Sequence, residues 1–238
     1  MEFTFPAVGI VHSCFKEKFG IPRQPGLAPL ACAQLELLPP YDDPAALEGL
    51  EGCSHLWLQF VFHANRRESW KPRVRPPRLG GNKQLGVFAT RSPVRPAPIG
   101  LSVVRLEGIR QDKGKVWLEL AGVDLLDGTP VLDIKPYVPY VDRVDDAVNE
   151  FAPAAPALLP VAFSASVLEA CADYHRRCGL DLQSLLTQIL QQDPRPSYQT
   201  LDPERIYGMA LLDLDVRWCY RIEGAQQQVL VTEIVNRA

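Results

Sequence analysis

HLWLQFVFH, residues 55–63, is an apolar, alternating run of strand length. Similar runs lie on both sides of it: FTFPAVGIVHS (3–13), CAQLELL (32–38), LGVFAT (85–90), IGLSVVRLEGI (99–109), KVWLELAGVDLL (115–126) and PVLDIKPY (130–137). Gly, Pro, Asn and Asp separate them, as turns require. Between the second and third strands, DDPAALEGLEG (42–52) predicts a short helix, with Asp42 or Asp43 as N-cap and Pro44 in its first turn. Seven strands so spaced, with few helices between them, predict a mainly β fold, a barrel or sandwich rather than βαβ units.

FAPAAPALLP (151–160) is Pro- and Ala-rich and uncharged, and marks a linker between a β domain (1–150) and a small α+β domain (161–238). Beyond it, Val167, Leu168, Cys171, Tyr174 and Cys178 fall at helical spacing, as do Leu182, Leu185, Leu186, Ile189 and Leu190. MALLDLDVRWCYRI (209–222) and QQVLVTEIV (227–235) then predict a hairpin.

No apolar run approaches the roughly 20 residues needed to span a bilayer, and MEFTFPAVGIVHS lacks the basic start and cleavage site of a signal peptide. A cytoplasmic protein is expected. The six cysteines form no CxxC pair, and the four histidines fall in no zinc-ligand spacing around them, so no metal is expected and the thiols read as buried or incidental.

The net charge of −3 hides an asymmetry. Arg66, Arg67, Lys71, Arg73, Arg75, Arg78, Lys83, Arg91 and Arg95 follow one another with Glu68 as the only intervening acid, so the rest of the chain is strongly acidic. Such a segment is either a footprint for an anion, phosphate above all, or a solvated loop. Part of it, WKPRVRPPRLGGNKQ (70–84), is a loop of a length usually reserved for function. The chain has no G-x-G-x-x-G turn, and Gly80, Gly81 and Gly86 precede no helix, so any nucleotide-like cofactor binds outside a Rossmann fold.

Three segments are too irregular for plain strands: KEKFGIPRQPGL (16–27), GVFATRSPVRPAPIGLS (86–102) and DLLDGTPVLDIKPYVPY (124–140). In the last, the two-residue period puts Asp133, Lys135 and Tyr137 on one strand face, opposite Leu132 and Ile134. An acid, an ammonium and a phenol together suit either chemistry or a solvated face.

PRQPGL, SHLWLQFVFH, RPPRLGG, GVFATRSPVRP, PIGLS and DGTPVLDIKPY closely resemble the signature of the TsaA-like (TrmO) family, and the similarity continues into QDPRPSY and DVRW. The resemblance covers nearly the whole chain. It implies a small β-barrel that binds S-adenosylmethionine, acts as a homodimer, and methylates N6 of N6-threonylcarbamoyladenosine at position 37 of tRNA. Carried onto this sequence, the cofactor contacts are Gln24, Pro25 and Gly26; His63 and Ala64; Arg91 and Leu101; and Asp127, Gly128, Thr129 and Pro130. Relatives usually have Gln in place of Ala64 and Asn in place of Ala97, so Ala64 could contribute only backbone. Methyl transfer to N6 needs orientation and a route for the N6 proton. Asp133 is the expected base, Lys135 the charge stabiliser and Tyr137 their neighbour. The tRNA surface is expected at Arg73, Arg75, Arg78, Arg195, Tyr198 and Arg217. A sensor of S-adenosylmethionine, or a methyltransferase of another substrate, would carry much of the same pattern.

Overall fold

The computed structural model describes residues 2–65, 69–76, 83–195, 199, 201–202, 204–223 and 226–237. Its strands are β1 (Gly9–Ser13), β2 (Cys32–Leu37), β3 (His55–Val61), β4 (Arg73–Val74), β5 (Leu85–Gly86), β6 (Ile99–Asp112), β7 (Lys115–Ala121), β8 (Thr129–Pro136), β9 (Val161–Phe163), β10 (Tyr207–Leu211), β11 (Leu214–Glu223) and β12 (Gln226–Asn236). Its α-helices are α1 (Pro139–Asp142), α2 (Ala165–Cys178) and α3 (Leu182–Leu190). The segment 42–52 forms two 3₁₀ turns, the first capped by the Asp43 carboxylate accepting from the Ala45 amide at 2.9 Å.

Six strands close an antiparallel barrel in the order β1-β2-β7-β6-β3-β8. Alternate residues point inward, as the strand period requires: Val11, Leu35, Leu56, Leu58, Val104, Leu118, Leu120 and Val131 fill the interior. At one place the fit depends on a missing side chain. Phe60 and Gly100 are register partners, and a Cβ on Gly100 would stand 2.2 Å from the Phe60 ring. Gly100→Ala is therefore expected to cost about 1–3 kcal/mol by overpacking, with Phe60→Leu recovering part of the loss. Urea unfolding of the single and double variants checks this.

The LGVFAT run departs from the expected strand. Only Leu85 and Gly86 pair, with β4, and the chain then turns in a 3₁₀ segment where the Thr90 hydroxyl donates to the Val87 carbonyl at 2.8 Å. Val87 is buried and Phe88 exposed, so the segment lacks the sustained alternation that would hold it in the barrel wall.

The second unit is a sheet of order β10-β11-β12-β9, with α2 and α3 packed beside it. Val167, Cys171 and Tyr174 of α2 and Leu182, Leu185, Leu186, Ile189 and Leu190 of α3 are buried. Trp218 and Tyr220 at the sheet centre are wholly buried. This unit shares one hydrophobic core with the barrel. Phe15 bridges both Leu126 and Leu211, the Leu212 amide donates to the Cys14 carbonyl at 2.7 Å, and Phe19 stacks on Trp218 at 5.7 Å.

Candidate functional site

In an antiparallel barrel, successive connections alternate between the two ends. The β1-to-β2 connection (14–31), the β3-to-β6 connection (62–98) and the β7-to-β8 connection (122–128) all emerge at the same end. They carry PRQPGL, FATRSP and the start of DGTP. Buried polar residues mark the same end of the barrel: Ser13, Ser102 and Thr129.

Hydrogen bonds tie the three connections together. Asp127 accepts from the Ser13 amide at 2.8 Å and pairs with Lys16 at 3.0 Å. The Gly128 amide donates to Val11, and the Thr129 hydroxyl to the Leu126 carbonyl at 2.6 Å. Gly128 has φ +76°, a left-handed turn position that glycine fills without strain, and a Cβ there would meet the His63 imidazole at 3.9 Å. Lys18 donates to the Ala64 carbonyl at 2.5 Å and to Asn65 at 2.9 Å. The Arg91 guanidinium donates to the Gln24 side-chain carbonyl. The Gly26 amide donates to the Gly122 carbonyl at 2.8 Å. Pro130 is the second residue of β8, opposite Ile10, and Leu101 lies half-exposed on β6. Pro25 sits in the turn between Gln24 and Gly26.

A residue not singled out from sequence stands where these segments meet. Asp124 accepts a hydrogen bond from the Ser102 hydroxyl at 2.6 Å. Burial pushes its carboxyl up to about 6, while Ser102 and the Arg91 charge partly oppose the rise. Its only mark in the sequence is that it is an acid within the apolar run LAGVDLL. Lys16 and Lys18 were likewise legible only as basic loop residues.

The Asp133 face lies elsewhere. Asp133, Lys135 and Tyr137 share a face of β8 that a register irregularity opposite Gln59 and Phe60 turns outward, away from the interior that Val131 occupies, and β8 carries them away from the connections. Asp133 is four residues past Thr129, roughly 13 Å along the strand, and the Tyr137 amide reaches the His55 carbonyl at the start of β3. Asp133 and Lys135 pair with each other at 2.6 Å. The Tyr137 ring lies against Trp57 and His55.

Arg195 is not a surface residue. It is 7% exposed, forks onto Asp193 at 2.9 and 2.7 Å, donates to Gln227 and stacks 3.8 Å from the Tyr220 ring centre. Its role is internal, because its Nε and Nη2 donors are taken up within the second unit. Arg217 is exposed and paired with Glu233 at 2.8 Å. Arg73 and Arg75 are exposed. Arg78 and Tyr198 lie outside the described residues.

Among the described residues no group of three or more His, Cys, Asp or Glu could hold a metal, and no helix is long and apolar enough to cross a membrane. A half-open hollow of about 200 Å³ between the 14–31 connection and α3 is lined by Lys18, Phe19, Arg23 and Gln192. It is below the size typical of ligand pockets; a more open hollow of about 450 Å³ borders Ser13 and Lys16 at the connection end of the barrel, and that end is the better candidate. Its backbone donors and acceptors, Arg91 and His63 offer an adenosine and an amino-acid zwitterion the polar partners they need.

The chain is similar to proteins of one family. The family model described as the tRNA-methyltransferase O N-terminal domain matches residues 10–143, and the TrmO C-terminal domain matches residues 156–237. A tRNA (adenine(37)-N6)-methyltransferase from Escherichia coli is 44% identical over 234 residues, covering 98% of each chain. A Pseudomonas aeruginosa protein provisionally named as an S-adenosylmethionine-dependent methyltransferase is 53% identical over 220 residues, 92% of this chain and 94% of its own. The crystal structure of TrmO from Pseudomonas aeruginosa superposes with a TM-score of 0.81 at 45% identity, covering 99% of both chains.

Proposed function

The chain belongs to the tRNA-methyltransferase O family, and from that premise we propose that it transfers the methyl group of S-adenosylmethionine to N6 of adenine 37 in tRNA. The observation that carries this reading is the convergence of PRQPGL, FATRSP and DGTP at one end of a closed barrel. The substrate adenosine carries a threonylcarbamoyl group, and the enzyme works in the cytoplasm as a homodimer. Phe88, Ile99 and Leu101 leave apolar surface open beside the site, as a partner protomer would require.

Gln24, Pro25, Gly26, His63, the Ala64 backbone, Arg91 and Leu101, with the DGTP turn, would hold the cofactor. When bound, it supplies an electrophilic methyl on a sulfonium. The residues at the barrel end would orient cofactor and substrate for the transfer, and orientation would provide much of the rate. We place Asp133, Lys135 and Tyr137 with substrate binding. Asp133 is already neutralised by Lys135, while Lys135, Tyr137 and Trp57 present a cation and ring faces to an unpaired loop. Arg73 and Arg75 with Arg217 extend the cationic surface.

Incubation of purified protein with S-adenosylmethionine and tRNA bearing threonylcarbamoyladenosine, followed by nucleoside mass spectrometry, tests the function. Conversion of that nucleoside to its N6-methyl form, undiminished by a chelator, is the expected result. An unmodified nucleoside overturns the reading.

Replacing Arg73 and Arg75 together is expected to reduce the log–log salt slope of tRNA binding by roughly 1.4, about 0.7 per lost phosphate contact on single-stranded RNA. Cofactor affinity should stay constant. Binding measured between 50 and 200 mM salt checks this, and an unchanged slope assigns the two arginines to solvent or a protomer contact.

A further inference from the structure

Methylation of N6 is complete only when its proton has somewhere to go. Among the described residues, three acids lie on the connections at the site end: Glu17, Asp124 and Asp127. Glu17 is turned onto the second unit, where it accepts from the Ala210 amide at 2.9 Å. Asp127 has one oxygen on the Ser13 amide and the other on Lys16. Asp124 differs. Ser102, on β6, donates to one of its oxygens at 2.6 Å, Arg91 of the β3-to-β6 connection faces it, and Gly122, two residues before it, receives the Gly26 amide of the β1-to-β2 connection.

We propose that Asp124, oriented by the Ser102 hydroxyl, takes the proton that N6 loses as the methyl group arrives. The inference rests on the tRNA methyltransferase reading above. In the step, the N6 electron pair forms the new nitrogen–carbon bond and the carbon–sulfur bond breaks. Its electrons stay on sulfur as a neutral thioether. The N6 proton passes to the Asp124 carboxylate and from there to solvent.

The electrostatics suit the task. A carboxyl raised to about 6 is ionised at neutral pH, yet it is a stronger base than an ordinary aspartate. Four influences set that value: burial raises it, and the Ser102 donor, a backbone hydrogen bond from its own amide and the Arg91 charge lower it. The same connections also carry Lys16, paired with Asp127, His63 beside Gly128, Lys18 on the Ala64 carbonyl, Arg95 on the Thr90 carbonyl, and Glu17 and Arg23, both turned onto the second unit.

The test is single-turnover methylation of tRNA carrying threonylcarbamoyladenosine, from pH 5 to 9, with tRNA and cofactor saturating. Wild type should lose rate on the acid side near pH 6. Asp124→Asn should slow the chemical step by roughly 10²- to 10⁴-fold, the usual worth of a positioned base, with calorimetric affinity for S-adenosylmethionine within a few-fold of wild type. Ser102→Ala should lower the plateau rate, because the carboxylate loses its orienting donor, and should also move the acid limb to higher pH, because that donor favours the ionised form. A merely structural role for the pair would not move that limb. If Asp124→Asn does not fold, the Ser102→Ala limb decides alone. An active wild type with a near-normal Asp124→Asn rate, or with an unmoved Ser102→Ala limb, overturns the role of Asp124. A wild type that leaves this tRNA unmethylated overturns the substrate reading and this inference with it.

Discussion

Arg195→Ala should lower the stability of the folded chain by about 3 kcal/mol, the lower end of the range for breaking a buried ion pair. The guanidinium is 8% exposed and its Asp193 partner 30%, so removing the cation leaves a carboxylate with limited access to water. Burial alone would push the Asp193 carboxyl up. The Arg195 fork and the Tyr220 hydroxyl, which donates at 2.9 Å, outweigh that and hold it below the usual carboxylate range. A depressed folded-state value means that its stabilisation is present above the unfolded pKa and is lost as pH falls through the depressed one. Without the guanidinium, only the Tyr220 hydroxyl and the residue-195 amide oppose burial, so the carboxyl rises and the variant should weaken at a higher pH than wild type does. Urea unfolding at pH 7 and at acid pH, with Arg217→Ala as control, provides the measurement. The exposed Arg217–Glu233 pair should be worth less than about 1 kcal/mol. Equal stability of Arg195→Ala and wild type would show that the fork holds nothing together.

Arg91→Ala should weaken S-adenosylmethionine binding roughly 10- to 100-fold, since a hydrogen bond from a charged group is worth about 1.5–3 kcal/mol. Its guanidinium pins Gln24 and supplies the positive charge facing Asp124, so its loss frees one connection and changes another. The melting temperature should hardly move, because Arg91 is exposed and contributes nothing to the hydrophobic core. Arg91→Lys should recover only part of the affinity, as an ammonium lacks the planar fork. Calorimetry and thermal melting on the same samples separate the outcomes. Unchanged affinity with a lower melting temperature would mark Arg91 as structural.

The barrel strands and both helical stripes were legible because burial imposes periods of 2 and 3.6 residues on composition. The irregular segments were legible because turn chemistry interrupts those periods. Their meeting at one end follows from antiparallel alternation, which needs only the strand order. The Asp133 face shows where the reasoning stops: a two-residue period tells which face a side chain occupies, not how far along the barrel it sits. Asp124 escaped because one acid in an apolar run looks like a strand ending. Arg195 was misplaced because a basic residue in a Pro-rich segment reads as surface, although its partner stands two positions earlier in DPR.

The 14–31 connection belongs to both units at once. Its backbone meets the barrel at Asp127 and Gly122 and the second sheet at Ala210 and Leu212, and Arg23 donates to the carbonyl oxygens of Asp193 and Arg195 at 3.3 and 2.7 Å. A ligand that orders this connection therefore stabilises a sheet it never touches. At a hundredfold excess over Kd that linkage is worth about 2.7 kcal/mol, spread over both units, which should melt together. By reciprocity, a substitution deep in β11 will present itself first as a loss of affinity, and a screen for cofactor-binding variants will recover residues far from the cofactor.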